Sequence, residues 1–228
     1  MNETELVEKW RSGLRPFGFD LVEVLSTQRF NESAATAPGT FRLPSFDRSS
    51  ALCLLVAHSQ ALWEPFTRAV HASKELEAAA HPLDCYTESA VRALQRETTL
   101  RSLAFFSHQS APVVPFQRLA DAAGLAELSP SHLSVHPELG PWLGLRAAVV
   151  FDMEAPPERG ARPARRCPSC SKPCLNALGR AKALERSDPE RAWRAWLGVR
   201  DSCPVGRAAR YSEAQIRYHY TKARSALG

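Results

Sequence analysis

Residues 51–57, ALCLLVA, form an unbroken apolar run, and no other segment limits the fold as strongly. A strand alternates its side chains between two faces, so a run of this length predicts a central strand covered on both sides. The run is far too short to cross a bilayer. Its flanks supply the cover. Leu62, Phe66, Ala69 and Val70 share one helical face, a pattern that continues through Leu76, and Pro82 opens a second helix carrying Ala90 and Leu94. Residues 3–12 predict a short helix stopped at Gly13 and Pro16. Residues 19–25 predict a half-buried strand with Phe19, Leu21 and Val24 inward, and residues 41–43 a short extended piece. Further strands are expected at 100–106 and 145–152, with an amphipathic helix over 115–125 that stops at Gly124. Residues 31–40 and 129–142 are rich in turn formers. One sheet with interspersed helices makes the chain α/β or α+β.

A linker of Pro, Arg and Gly at 155–166 divides the chain. Beyond it, residues 175–199 are helix-forming with a break at Asp188-Pro189, and 213–226 make a last helix with Ser212 as N-cap. The expected organisation is a core over 1–154 and a basic segment over 155–228. That segment holds 16 of the 29 Lys and Arg but 6 of the 24 acids. Such asymmetry suits an anionic partner, and it equally suits arginines on solvated helix faces. With 44% hydrophobic and 23% charged residues the chain reads as globular, which excludes an intrinsically disordered class. No apolar leader or membrane segment is visible, so a cytoplasmic location without membrane contact is expected.

Four of the six cysteines crowd into the basic segment as Cys167-x2-Cys170-x3-Cys174 and a remote Cys203-Pro204. Without an export signal such crowding favours a metal over disulfides. Two thiolates two residues apart grip one metal from a tight turn, and a remote Cys followed by Pro is frequent in iron–sulfur sites. The x3 gap departs from the ferredoxin run, and only one Cys stands on the distal side, so a 4Fe-4S cluster, zinc and plain thiols all stay open. Cys53 and Cys85 read as reduced and structural.

The ordered set Leu14-Arg15-Pro16-Phe17-Gly18-Phe19-Asp20, Arg29-Phe30-Asn31-Glu32, Phe41-Arg42-Leu43-Pro44 and Trp63-Glu64-Pro65-Phe66 resembles the CblC-type (MMACHC-like) cobalamin-processing family. The likeness is clearest from His136 to Arg146, HPELGPWLGLR, similar to that family's HPxxGxWxxxR. It returns at Trp193-Arg194-Ala195-Trp196, Arg200-Asp201 and Arg210-Tyr211-Ser212-Glu213. Ala120-Asp121-Ala122-Ala123-Gly124-Leu125, the same HPELGP and the Cys set also resemble epoxyqueuosine reductases (QueG) and reductive dehalogenases. Those chains are longer and carry two complete cluster motifs.

The first resemblance implies a flavin-reductase/nitroreductase-like α+β fold that binds cobalamin base-off. It implies reductive removal of cyanide with a reduced flavin (FMN or FAD), removal of alkyl groups by glutathione, and a reductase or downstream cobalamin enzyme as protein partner. Arg146, Arg200 and Arg224 would clasp glutathione carboxylates, since guanidinium forks bind carboxylates bidentately. The second implies a cobalamin- and iron–sulfur-dependent reductase, with a tRNA base among its substrates. A third function class is a non-enzymatic cobalamin carrier.

Each candidate has a plainer reading. His136 is a ligand donor or a turn histidine satisfied by backbone. Gly140 serves a positive-φ turn or a close backbone approach to ligand. Trp142 covers a ligand face or fills core. Arg146 interrupts an apolar strand, where an unpaired charge is costly, so an anionic or carbonyl partner is expected, whether ligand or salt bridge. Phe30 and Asn31 lie near the corrin in the resemblance, or are ordinary loop residues. Trp193 and Trp196 most simply bury one helix face. Arg162, Arg165 and Arg166 read as a solvated linker that could approach RNA.

Overall fold

A computed structural model describes residues 1–34, 41–157 and 165–228. Its strands are β1 (Leu21–Ser26), β2 (Ala51–His58), β3 (Ser102–Phe106), β4 (Glu127–Leu128), β5 (Ser134–Val135) and β6 (Gly144–Glu154). Four of them form one antiparallel sheet in the order β1-β2-β6-β3, while β4 and β5 pair as a separate small ribbon. With its helices this is an α+β fold.

The apolar run is the central strand β2, buried at every position. Leu52, Leu54 and Val56 face one core together with Ala147, Val149 and Phe151 of β6. Cys53, Leu55 and Ala57 face the other with Ala148 and Val150. The first face is covered by α1 (Glu3–Leu14), α3 (Trp63–Ala72) and α5 (Pro82–Arg96), which contribute Trp10, Phe66 and Leu83. The second is covered by α2 (Thr27–Ala34) and α6 (Phe116–Ala123), through Phe30, Phe116 and Leu119. Trp10 shows how such cover is fixed. Its ring meets Phe151 edge-on at 5.2 Å between centroids, and its indole N–H donates to Thr98 Oγ1 at 3.3 Å.

Several local expectations change. Gly13 continues α1 instead of stopping it; a Cβ there would lie 2.6 Å from a Leu94 methyl, so the glycine serves helix packing. The helix after β2 divides at Ser73, whose hydroxyl accepts from the Leu76 N–H and caps α4 (Lys74–Ala78). In β1 the deepest side chains are Val22 and Leu25, not Leu21 and Val24, because this edge strand has one face against each core. Residues 31–34 belong to α2; the rest of the expected 31–40 loop, and Arg162, lie outside the described residues.

The C-terminal segment contains α7 (Pro173–Ser187), α8 (Pro189–Asp201) and α9 (Glu213–Thr221). Asp188 caps α8 and Ser212 caps α9. The last helix ends early, because Lys222 turns left-handed at φ 56°. Trp193 and Trp196 serve different clusters. Trp196 packs with Ala177, Leu178 and Val199, whereas Trp193 packs with Trp142, Tyr211 and Ile216, so α8 is wedged between the two. Tyr218 and Leu227 join the first-face core. Among the described residues no helix is long and apolar enough to cross a membrane.

Candidate functional site

Arg146 lies on β6, just before the fully buried stretch from Ala147 to Phe151. It sits deep in the protein, yet part of its surface stays accessible. Burial is the main influence lowering its proton affinity. Among the described residues its one hydrogen-bond partner is His58, the last residue of β2, whose Nε2 accepts from Arg146 Nε at 3.1 Å. The anionic or carbonyl partner expected from the sequence is therefore replaced by a neutral imidazole. The two terminal nitrogens of the guanidinium are left to other acceptors.

A chain of hydrogen bonds fixes that imidazole. Asp20 accepts from the Ser59 N–H at 2.8 Å and from its hydroxyl at 2.6 Å. The Ser59 carbonyl lies 2.7 Å from His58 Nδ1. With Nδ1–H donating to that carbonyl, Nε2 is bare and accepts from the arginine, so one tautomer satisfies both contacts. His58 is wholly buried, and its pKa is held well below the ordinary histidine range by burial first and Arg146 next.

Over this pair lies α9. Gln215 and His219 lie one turn apart on one face of α9, and Tyr211 stands just before its cap, Ser212. Tyr211 and His219 are near-parallel to His58, at 6.1 and 5.9 Å between ring centroids. The Tyr211 hydroxyl, both side-chain amide atoms of Gln215 and His219 Nε2 are buried without a hydrogen-bond partner among the described residues. Native interiors leave few such groups. His219 is also held well below its usual pKa, by burial and then by Arg146 and His58. Lys222, at the end of α9, has its pKa lowered by burial and then by Arg146, with Asp84 opposing.

Arg200, in the last turn of α8, stands over the rings of Trp142 at 5.9 Å and Tyr220 at 6.0 Å. The neighbouring Asp201 is engaged by Arg210, which also reaches Glu213. No carboxylate pairs with Arg146, Arg200 or Lys222 among the described residues. Trp142 itself is 2% exposed, meets Tyr211 edge-on at 5.6 Å and has Arg210 5.5 Å from its ring, so it is core that shapes the cluster. The result is a cationic, polar cluster with unspent donors and acceptors. Chemically it suits a carboxylate or another multiply hydrogen-bonding group.

The His136 segment forms a tight loop. His136 N–H donates to the Gly140 carbonyl at 2.8 Å, and Gly140 N–H returns to the His136 carbonyl at 2.9 Å. The imidazole Nδ1 accepts from the N–H groups of Glu138 and Leu139, each at 3.2 Å, which leaves the proton on Nε2. Burial lowers the His136 pKa, opposed by Glu138 and Asp20. Among the described residues Nε2 meets no hydrogen-bond partner, so the loop both satisfies this histidine and keeps one donor in hand.

Gly140 has φ 59°, and a Cβ there would lie 2.0 Å from the Val205 carbonyl oxygen. Gly206, at φ 72°, packs reciprocally on Leu139, where a Cβ would lie 2.1 Å from the Leu139 carbonyl carbon. The close approach is thus to this chain's own backbone, just past Cys203-Pro204. Gly140→Ala should lower stability by more than the ~1–3 kcal/mol of left-handed strain alone, because two backbones must also part. Urea unfolding would check this; a loss within ~0.5 kcal/mol would contradict it.

The other candidates lie apart from this cluster. Phe30 is wholly buried in the second core. Asn31 clamps the Leu43 backbone through two hydrogen bonds of 2.9 Å and borders a polar surface pocket with Arg42 and Ser49. Arg224 donates to the carbonyls of Glu77, in α4, and Ala79, just past it, and lines a surface pocket with Asp84 and Lys222. Cys167, Cys170, Cys174 and Cys203 all border one hollow, which Leu133 and Val135 also line. Glu127 accepts from the Arg166 and Cys167 N–H groups, and burial followed by this carboxylate pushes the Cys167 thiol up to about 12. No group of three His, Cys, Asp or Glu side chains among the described residues is gathered so as to hold a single metal ion.

His58, Tyr211, Gln215 and His219 are absent from the sequence-derived set. His58 was visible as the polar end of the apolar run, and the other three as polar residues at helical spacing.

No family model and no curated protein matches the sequence. Solved structures do match. That of a C. elegans B12-trafficking protein CblC, a human MMACHC homologue, aligns with a TM-score of 0.74 over 98% of this chain and 94% of that one, at 18% identity. Epoxyqueuosine reductase from Bacillus subtilis aligns with a TM-score of 0.52 over 92% of this chain and 68% of that one, at 14% identity. The enzyme from Streptococcus thermophilus gives 0.53 over 93% and 68%, at 12% identity. The CblC-like fold expected from the sequence motifs is thus the fold of the chain.

Proposed function

We propose that this protein binds cobalamin and removes its upper axial ligand, with the Arg146–Arg200 cluster holding the carboxylates of a thiol co-substrate such as glutathione. One observation carries the reading: a deep cationic cluster that, among the described residues, keeps unpaired donors and acceptors and is paired with no carboxylate. Maintaining buried cations and orphaned polar atoms costs stability, and such costs concentrate where a ligand is bound. The likeness to the CblC fold supports cobalamin as the substrate.

In this reading the thiolate sulfur attacks the alkyl carbon bound to cobalt. The new C–S bond forms as the Co–C bond breaks, and the bonding pair stays on cobalt, giving a thioether and cob(I)alamin. The chain's own residues orient the thiol. His58, held by Ser59 and Asp20, fixes the Arg146 guanidinium so that its outer edge meets one carboxylate, while Arg200 offers a second contact point. Holding the sulfur in line with the cobalt–carbon bond is where such positioning acts on rate. The cobalt chemistry belongs to the substrate; the protein supplies orientation and exclusion of water.

Mixing the purified protein with cyanocobalamin and then with a reduced flavin tests the reading. A shift to the base-off spectrum followed by loss of cyanide is expected. No base-off shift would sink it, and a shift without ligand removal under any reductant or thiol would leave a carrier. The second reading, a cobalamin- and iron–sulfur-dependent reductase of another substrate, is favoured by the four cysteines around one hollow and by the epoxyqueuosine reductase neighbours. Salt-sensitive binding of a tRNA stem-loop would support that alternative over the first.

A further inference from the structure

We infer that the hollow at the start of α5 is a second recognition site, which binds the end group of an amino acid or short peptide through both of its charges. Asp84 holds the α-ammonium, and Lys222 with Arg224 holds the α-carboxylate. The site itself does not depend on the cobalamin reading; only the assignment of a thiol-bearing occupant rests on that reading.

Asp84 lies in the first turn of α5, and Lys222 ends α9. Both line one hollow of about 310 Å3, partly open to solvent, together with His81, Tyr218 and Arg224. Among the described residues the Asp84 carboxylate and the Lys222 ammonium form no ion pair, although they share this hollow. Asp84 instead faces His108 Nδ1 at 3.6 Å, and His108 Nε2 is anchored on Glu88 at 2.9 Å. Opposite charges that line one hollow without closing on each other leave room for a ligand between them.

The cations are positioned without a carboxylate. Lys222 takes the left-handed conformation, φ 56°, that glycine usually supplies at a helix end, and its N–H donates to the Tyr218 carbonyl at 2.8 Å. Its ammonium stands 5.8 Å from the Tyr218 ring. Arg224 is tied to the carbonyls of Glu77 and Ala79.

The mixture of charges selects the ligand. A lone carboxylate is repelled by Asp84, and a lone ammonium by Lys222 and Arg224. A group that carries both charges within a few bonds satisfies each side, and such charge-assisted hydrogen bonds are the strong ones. A hollow this small and open takes an end group and not a large ligand. Asp84 and Lys222 both act electrostatically on Arg146, so the hollow lies on the flank of the Arg146 cluster. A short peptide seated here has its other end within reach of that cluster.

Calorimetry on the whole chain tests the site with S-methylglutathione, which carries both charges at its γ-glutamyl end and has no free thiol. Its N-acetylated form, which lacks the ammonium, is the comparison. The unaltered protein should bind S-methylglutathione tighter by about tenfold or more, the scale of a lost charge-assisted contact. Asp84→Asn should shrink that gap to within about twofold, and Lys222→Gly should weaken S-methylglutathione by about tenfold. Glycine suits the left-handed backbone at 222, so this variant decides even if Asp84→Asn fails to fold. Competition by free L-glutamine at similar concentrations assigns the site to free amino acids, and its absence assigns the site to the end of a peptide. Equal affinity for the two peptide forms in the unaltered protein, no binding of either peptide or of L-glutamine, or a gap that neither variant changes would overturn the proposal. A gap that persists in a protein giving no base-off shift with cobalamin would leave this site standing and sink the proposed function alone.

Discussion

Arg146→Met is expected to slow glutathione-dependent removal of an alkyl group from cobalamin by roughly 10- to 100-fold, the ~1.5–3 kcal/mol of a lost charge-assisted hydrogen bond. The same change should leave the melting temperature unaltered or raise it. Both halves follow from one geometry. The guanidinium is deep and touches a neutral imidazole and no carboxylate among the described residues. Its charge is disfavoured by burial first and by the like charge of Arg200 last, with Tyr211, Asp84 and Tyr218 opposing. Replacing an unpaired interior cation by an apolar side chain of similar length relieves a desolvation cost, although it leaves His58 Nε2 without its donor. A structural arginine would behave in the opposite way. If Arg146→Met melts several degrees lower and reacts at the wild-type rate, the arginine belongs to the scaffold and not to the site.

The second large effect is on acid stability. His58 and His219 are buried together beside Arg146, and both are held well below their ordinary pKa by burial. Above about pH 6.5 these histidines are neutral in folded and unfolded chains alike, so the fold has its full stability there. As pH falls below that value the unfolded chain takes up protons that the folded chain refuses, and stability drops. The limiting slope is ~1.4 kcal/mol per pH unit for each histidine. Urea midpoints measured from pH 7.5 to 5 should therefore fall steeply, and His219→Phe should make the decline shallower. Parallel pH profiles in the two proteins would show that His219 does not remain neutral in the fold. A carboxylate-bearing ligand bound at the cluster should also blunt the decline, because it favours protonation of the same groups.

Much of the fold was legible because its central strand announces itself. An uninterrupted ALCLLVA run admits few placements, and the helices on either side were marked by apolar spacing, by Pro82 and by Gly124. The misplacements share a cause. Gly13 looked like a stop because glycine often ends helices, but here packing against Leu94 sets its identity. The last helix was drawn too long because nothing in its composition signals the left-handed turn at Lys222.

The candidate site was legible in a different way. His136, Gly140, Arg146 and Arg200 stood out by motif and by charge in an apolar setting. Their partners did not, because those partners arrive from distant strands and helices. His58 looked like the end of a core strand, Gly140 meets Val205 across the fold, and Tyr211, Gln215 and His219 acquire meaning only once α9 and the residues that lead into it lie over Arg146. Phe30 shows the converse. A residue singled out by resemblance proves to be fully buried in the second core.

On the proposed function, the cluster recognises the carboxylates of a thiol and so directs its sulfur at the cobalt-bound carbon. The most direct measurement is loss of the alkylcobalamin spectrum under anaerobic conditions with glutathione, compared with 2-mercaptoethanol, a thiol lacking carboxylates, at equal thiolate concentration. Fast dealkylation by glutathione is expected, with at least a roughly tenfold slower reaction with mercaptoethanol, a difference that Arg146→Met should largely abolish. Equal rates with the two thiols in the unaltered protein, or no reaction with either, would contradict it.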